Sequence, residues 1–106
     1  LKHFEYRKDI FLAKCTRSGR RLALSLAEQC HRFCVFLEGN WVKQCIVQLD
    51  FTQAPPCFLE DSRMGSLLKG MPYLQRVLYS VDGWSEPGAL RKFEASIPSV
   101  VKRERA

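Results

Sequence analysis

The sequence predicts an α+β domain: a small antiparallel sheet over residues 20–52, flanked by an N-terminal helix and covered on one face by C-terminal helices. Three observations carry this. The runs "RFCVFLE" and "WVKQCIVQLDF" are rich in β-branched and aromatic residues, and Gly39-Asn40 between them suits a two-residue hairpin turn. "RLALSLAE" alternates, with Leu22, Leu24 and Leu26 on one side and Ala23, Ser25 and Ala27 on the other. Leu67, Met71, Leu74, Leu78 and Val81 recur at spacings of four, three, four and three, the most regular helical stripe in the chain. An all-α bundle is the alternative, because Leu22, Leu26, Cys30, Phe33 and Leu37 also fit one face of a long helix stopped by Gly39.

Taken in order, residues 1–15 read as a helix with Phe4, Phe11 and Cys15 at helical spacing, although Phe4, Tyr6, Ile10 and Leu12 would share a strand face. "TRSGRR" ends it at Gly19. The favoured hairpin pairs Glu38 with Trp41, Phe36 with Lys43 and Cys34 with Cys45, so the two thiols should lie side by side on adjacent strands. "TQAPPC" breaks regular structure. Asp61 or Ser62 can cap a helix starting near Arg63, and Gly70 and Pro72 predict a kink or a fresh helix at Pro72. "DGW" ends that segment. Ser85 caps a last helix with Pro87 in its first turn and Leu90, Phe93 and Ile97 inward, and residues 99–106 read as a loose basic end. No internal repeat or low-complexity tract stands out.

At 106 residues the chain has room for one domain, and its 46% hydrophobic content is globular. It begins at Leu1 and reads as a processed product or part of a larger protein. Seventeen Lys and Arg against 11 Asp and Glu give a net charge of +6, which favours acidic partners. The five cysteines, Cys15, Cys30, Cys34, Cys45 and Cys57, are odd in number and irregular in spacing, as expected of reduced thiols in a cytoplasmic or nuclear protein. No apolar run is long enough for a membrane span.

The sequence offers no catalytic signature. Cys30, His31 and Cys34 in "CHRFC" bring soft ligands together, but only His3, Cys15, Cys45 and Cys57 could complete a zinc set, so these cysteines read as small hydrophobes and no metal or cofactor is expected. Neither histidine stands in a nucleophile–base context, Glu60-Asp61 falls at a helix cap, and no phosphate loop is present.

The most informative polar stretch is "KCTRSGRR", where Lys14, Arg17, Arg20 and Arg21 can grip phosphates through charge and guanidinium forks. With the strand-like runs and amphipathic helix that follow, "KCTRSGRRLALSL" resembles the small Alu-domain subunits of the signal recognition particle, through Lys14, Cys15, Ser18 and Gly19 and the order of elements. The resemblance implies a helix, a three-stranded antiparallel sheet and a closing helix that contact RNA as a heterodimer; "APPCFLED" departs from it by adding a proline-rich segment.

The expected function is therefore a non-catalytic module that docks a protein partner within a larger assembly. A hairpin apolar on both faces and the aromatics Trp41 and Trp84, with Lys43, form the expected partner surface. RNA binding through residues 14–21 is the alternative.

Overall fold

The computed structural model describes residues 2–7, 16–17, 20–21 and 25–106. Its centre is a four-stranded sheet in the order β1-β4-β5-β6, made of His3–Glu5, Gln48–Phe51, Arg76–Tyr79 and Lys102–Arg105. All three pairings are parallel. Beside it, β2 (Thr16–Arg17) and β3 (Arg20–Arg21) make a separate antiparallel ladder of two residues each. Among the described residues, five helices fill the connections: α1 (Leu26–Glu38), α2 (Asn40–Cys45), α3 (Pro56–Leu59), α4 (Met64–Lys69) and α5 (Pro87–Ser96). The mixture of helix and strand agrees with the α+β expectation, but the expected antiparallel sheet over residues 20–52 is contradicted: among the described residues, 26–38 and 40–45 are helical and Gln48–Phe51 joins a parallel sheet. A parallel sheet also departs from the antiparallel one that the signal-recognition-particle resemblance implies.

The largest correction falls on Phe33 to Cys45. This segment is helix, Gly39, then helix, not a hairpin. Its β-favouring composition is overridden by tertiary packing. Phe33, Cys34 and Leu37 lie on one face of α1 and are fully buried, whereas Val35 is 49% exposed. The start of α1 carries its own signal: Ser25 Oγ accepts from the Glu28 backbone N–H at 3.2 Å, and Glu28 stands in the first turn. Ser-x-x-Glu is the spacing of a capping box. Gly39 breaks the helix with φ −57° and ψ 130°, an extended conformation open to any residue. Cys34 and Cys45 consequently sit on different helices, the first buried and the second half-buried.

The N-terminal helix is likewise replaced in part by β1, since Phe4 pairs with Leu49 in a parallel ladder; residues 8–15 lie outside the described residues. The stripe from Leu67 to Val81 is divided between elements. Leu67 lies in α4, which ends at Gly70, and Met71 and Leu74 are buried in the connection that follows. Leu78 belongs to β5 on the face opposite the core, and no helix starts at Pro72. The basic end expected to hang loose is ordered as β6. The final helix agrees more closely: α5 begins with Pro87 in its first turn, and Phe93 and Ile97 are buried. Gly83 just upstream takes φ +82°, where glycine avoids the Cβ clash.

A repeat emerges that the residues do not advertise. Gln48, Arg76 and Lys102 are in register, 28 and 26 residues apart. Each strand is followed or preceded by helix on the same side, so the chain advances as a stack of strand–helix units, each contacting its neighbours. Alternation along the strands sends Leu49, Phe51, Val77 and Tyr79 toward the helices, all buried to 0% exposure. They join Phe33, Leu37, Phe58, Met64, Leu68 and Phe93 in one core.

Phe33 is the hub of that core. Its ring lies 5.5 Å from Phe51, 5.4 Å from Phe58 and 5.6 Å from Tyr6. Such pairs add to area burial when tilted or edge-on, as these are. Phe33→Ala should therefore cost about 3–5 kcal/mol in urea unfolding, and Val35→Ala should stay within about 0.5 kcal/mol. In a strand these two residues would share a face, so equal losses would contradict the helix.

Candidate functional site

The alternation that buries one side of the sheet leaves the other side polar. In register, His3, Gln48, Arg76 and Lys102 form one row across the four strands, and Glu5, Asp50, Leu78 and Glu104 form a second. None of these eight side chains is buried, and His3, Glu5 and Lys102 are exposed. Strands about 4.8 Å apart make each row roughly 14 Å long. One row carries the cations Arg76 and Lys102, and its neighbour is acidic except at Leu78.

Internal bonds set the posture of this face. Arg76 Nη2 reaches both carboxylate oxygens of Glu104 at 2.6 Å, and Lys102 Nζ lies 3.3 Å from Glu104. The Arg76 Nε is buried with no partner among the described residues. Asp50 accepts from the Thr52 backbone N–H at 3.0 Å and from its hydroxyl at 2.7 Å, which fixes the turn after β4. At the basic end, His3, Val47, Gln48, Gln75, Arg76 and Lys102 line an open pocket of about 340 Å³.

The last strand changes character. Its core-facing positions are Arg103 and Arg105, both exposed at the rim. Arg105 forks onto Glu94 of α5 through Nε at 2.8 Å and Nη2 at 2.7 Å, and the Tyr79 hydroxyl donates to the same carboxylate. Arg103 Nη2 donates to the Ile97 carbonyl at 3.2 Å. The fork to Arg105 holds the Glu94 carboxyl below its ordinary value. Burial, followed by the bond to Glu94, pushes the Tyr79 hydroxyl up.

A second constellation lies on the helical side. Cys30 and Cys34 are one turn apart on α1, and Asp61 comes from the turn between α3 and α4. Their ligating atoms all lie within 4.8 Å of one another, with Cys30 Sγ 3.5 Å from Asp61 Oδ2. Arg63 secures the carboxylate: its backbone N–H donates to Oδ1 at 2.9 Å, Nε to Oδ1 at 3.0 Å and Nη2 to Oδ2 at 3.0 Å. These bonds hold the Asp61 carboxyl down to about 2. Burial, reinforced by Cys34 and Asp61, pushes the Cys30 thiol up to about 12. Burial also raises Cys34, while the Arg63 charge pulls it the other way. His31 Nδ1 stands 3.0 Å from Arg63 Nη1 on the exposed side.

The residues singled out by sequence are dispersed. Lys14 lies outside the described residues; in the β2–β3 ladder the backbone register pairs Arg17 with Arg20 and Thr16 with Arg21. Trp41 and Lys43 are on α2, where Trp41 is 71% exposed. Trp84 is elsewhere, between β5 and α5, half-buried with its ring 5.5 Å from Phe93 and its Nε1 donating to the Ser80 carbonyl at 2.8 Å. It is a partly buried residue packed against the core, unlike the exposed Trp41. Sequence reasoning missed the polar rows because it did not find these strands. It noticed Cys30 and Cys34 but could not supply Asp61. Among the described residues no helix is long and apolar enough to cross a membrane. No family model matches the chain, and no curated protein or solved structure matches it.

The Glu94 node gives a pH prediction. A carboxyl with a lowered folded value adds stability above its ordinary value of 4.5, and that stability is lost as pH falls through the lowered value. Urea midpoints should drop through this acidic window, and Glu94→Gln should flatten the drop. An unchanged acid slope in that variant would remove Glu94 from the account.

Proposed function

We propose that the chain is a non-catalytic binding module, and that the polar face of its parallel sheet docks a protein segment of mixed charge. The observation that carries this reading is the register of the two rows: a cationic row ending in a pocket beside His3, Arg76 and Lys102, next to an acidic row of Glu5, Asp50 and Glu104. An acidic side chain of the partner enters the pocket between His3, Arg76 and Lys102. A basic side chain lies over the acidic row. Aligned opposite charges choose partners and register more than they add raw affinity. Stacked strand–helix units commonly expose such continuous faces for binding.

The RNA-binding alternative draws on Lys14, Arg17, Arg20 and Arg21. The sheet face speaks against a phosphate backbone lying across it, because Glu5, Asp50 and Glu104 would repel one. The expected compartment remains intracellular, on the cysteine pattern.

The test is affinity capture from cell extract with nuclease present. His3→Glu with Lys102→Glu should reduce recovery of the wild-type partner by roughly tenfold or more, while circular dichroism stays unchanged. Recovery equal to wild type in this variant, or complete loss on nuclease treatment, would overturn the reading. Loss in Trp41→Ala alone would move the contact to α2.

A further inference from the structure

We propose that Cys30, Cys34 and Asp61 form a binding site for one thiophilic divalent cation of the zinc and cadmium class. Helical spacing places both sulfurs on one face of α1, and the α3–α4 turn brings the carboxylate to them. A tetrahedral ion with bonds of about 2.3 Å to sulfur and about 2.0–2.2 Å to oxygen holds its donors roughly 3.5–3.8 Å apart. The Cys30–Asp61 separation is already 3.5 Å, and all three donors fall within 4.8 Å. Closure by about 1 Å of side-chain rotation completes the set. The fourth position opens to water, because Cys30 and Asp61 are only half-buried.

Charge supports the same assignment. The ion displaces one proton from each thiol, giving two thiolates and one carboxylate against a divalent cation and the Arg63 guanidinium, a neutral group. Arg63 takes the role of an outer partner that orients the ligating carboxylate through three hydrogen bonds. The soft sulfur pair selects zinc or cadmium over magnesium or calcium, which prefer oxygen. Bound there, the ion ties α1 to the turn before α4, reinforcing the Cys30–Asp61 and His31–Arg63 contacts across that junction. Cys45 and Cys57 belong to α2 and α3 and are not in this cluster.

The test uses cobalt(II) as the spectroscopic probe and zinc as competitor on the purified chain. One equivalent of cobalt should produce a sulfur-to-metal charge-transfer band that zinc abolishes, and zinc should raise Tm by mass action. A variant with Cys15, Cys45 and Cys57 all changed to Ser should keep both effects. Cys30→Ser should lose both, and Asp61→Asn should weaken cobalt binding by at least about tenfold, the lower end of the loss that even an outer partner produces. Metal-free circular dichroism verifies that each variant is folded, and Cys30→Ala substitutes if the serine is not tolerated. Absence of the band in wild type, its loss in the triple variant, or its survival in Cys30→Ser or Cys30→Ala would each overturn the site.

Discussion

The parallel direction of the four strands is the constraint from which the rest of the structure follows. A parallel pair cannot be joined by a tight turn, so each connection must travel back along the sheet. Here every such connection contains helix, and the buried helix residues meet the strands on one face. That gathers the apolar content of a short chain into one layer, with Phe33 touching Tyr6, Phe51 and Phe58 across it. Among the described residues, Phe33, Phe51, Phe58 and Phe93 are buried in this layer. Burial of this kind is the main favourable term in folding and has no direction of its own. Strand register supplies the direction.

The same constraint creates the polar face of the sheet. Because the buried residues of the described helices meet one face of the sheet, the other face is left to mainly polar residues, and parallel register lines them up by kind. The Arg76–Glu104 pair is half-exposed and contributes little to stability by itself. Its importance is positional: it sets the direction of the guanidinium at the pocket. The Arg105–Glu94 fork does the structural work at this end, tying β6 to α5 where the strand has no apolar residue to offer the core. Charge therefore replaces burial at the last strand, and the open face extends across it.

How much of this was legible depended on the length of each element. Helix α5 was readable because Pro87, Phe93 and Ile97 mark its start and inner face within eleven residues. Asp61 or Ser62 was expected to cap the helix near Arg63, but the helix starts at Met64 with Arg63 at its N-cap and no side-chain cap; Asp61 instead accepts from the Arg63 backbone N–H in the turn before it. The sheet was not readable, because its strands are three or four residues long and alternation over so few positions is no signal. In β6, "KRER" has no apolar residue at all. The regular stripe from Leu67 to Val81 misled because a four-residue helical step and a two-residue strand step coincide over short distances. Helix α1 was obscured by Phe, Val and Cys, although Ser25 and Glu28 stood at capping-box spacing. The thiol cluster needed Asp61, 31 residues from Cys30, and only folding brings them together.

The central claim is that Gln48–Phe51, Arg76–Tyr79 and Lys102–Arg105 run parallel and in register, with residues 26–38 helical beside them. Backbone nuclear Overhauser effects on isotope-labelled protein test this most directly. Amide–Hα contacts should join Leu49 to the Val77 neighbourhood and Val77 to the Arg103 neighbourhood, without the close Hα–Hα pairs of antiparallel strands, and shifts should be helical from Leu26 to Glu38. Strong Hα–Hα contacts between opposed strands, or extended shifts from Phe33 to Leu37, would contradict it.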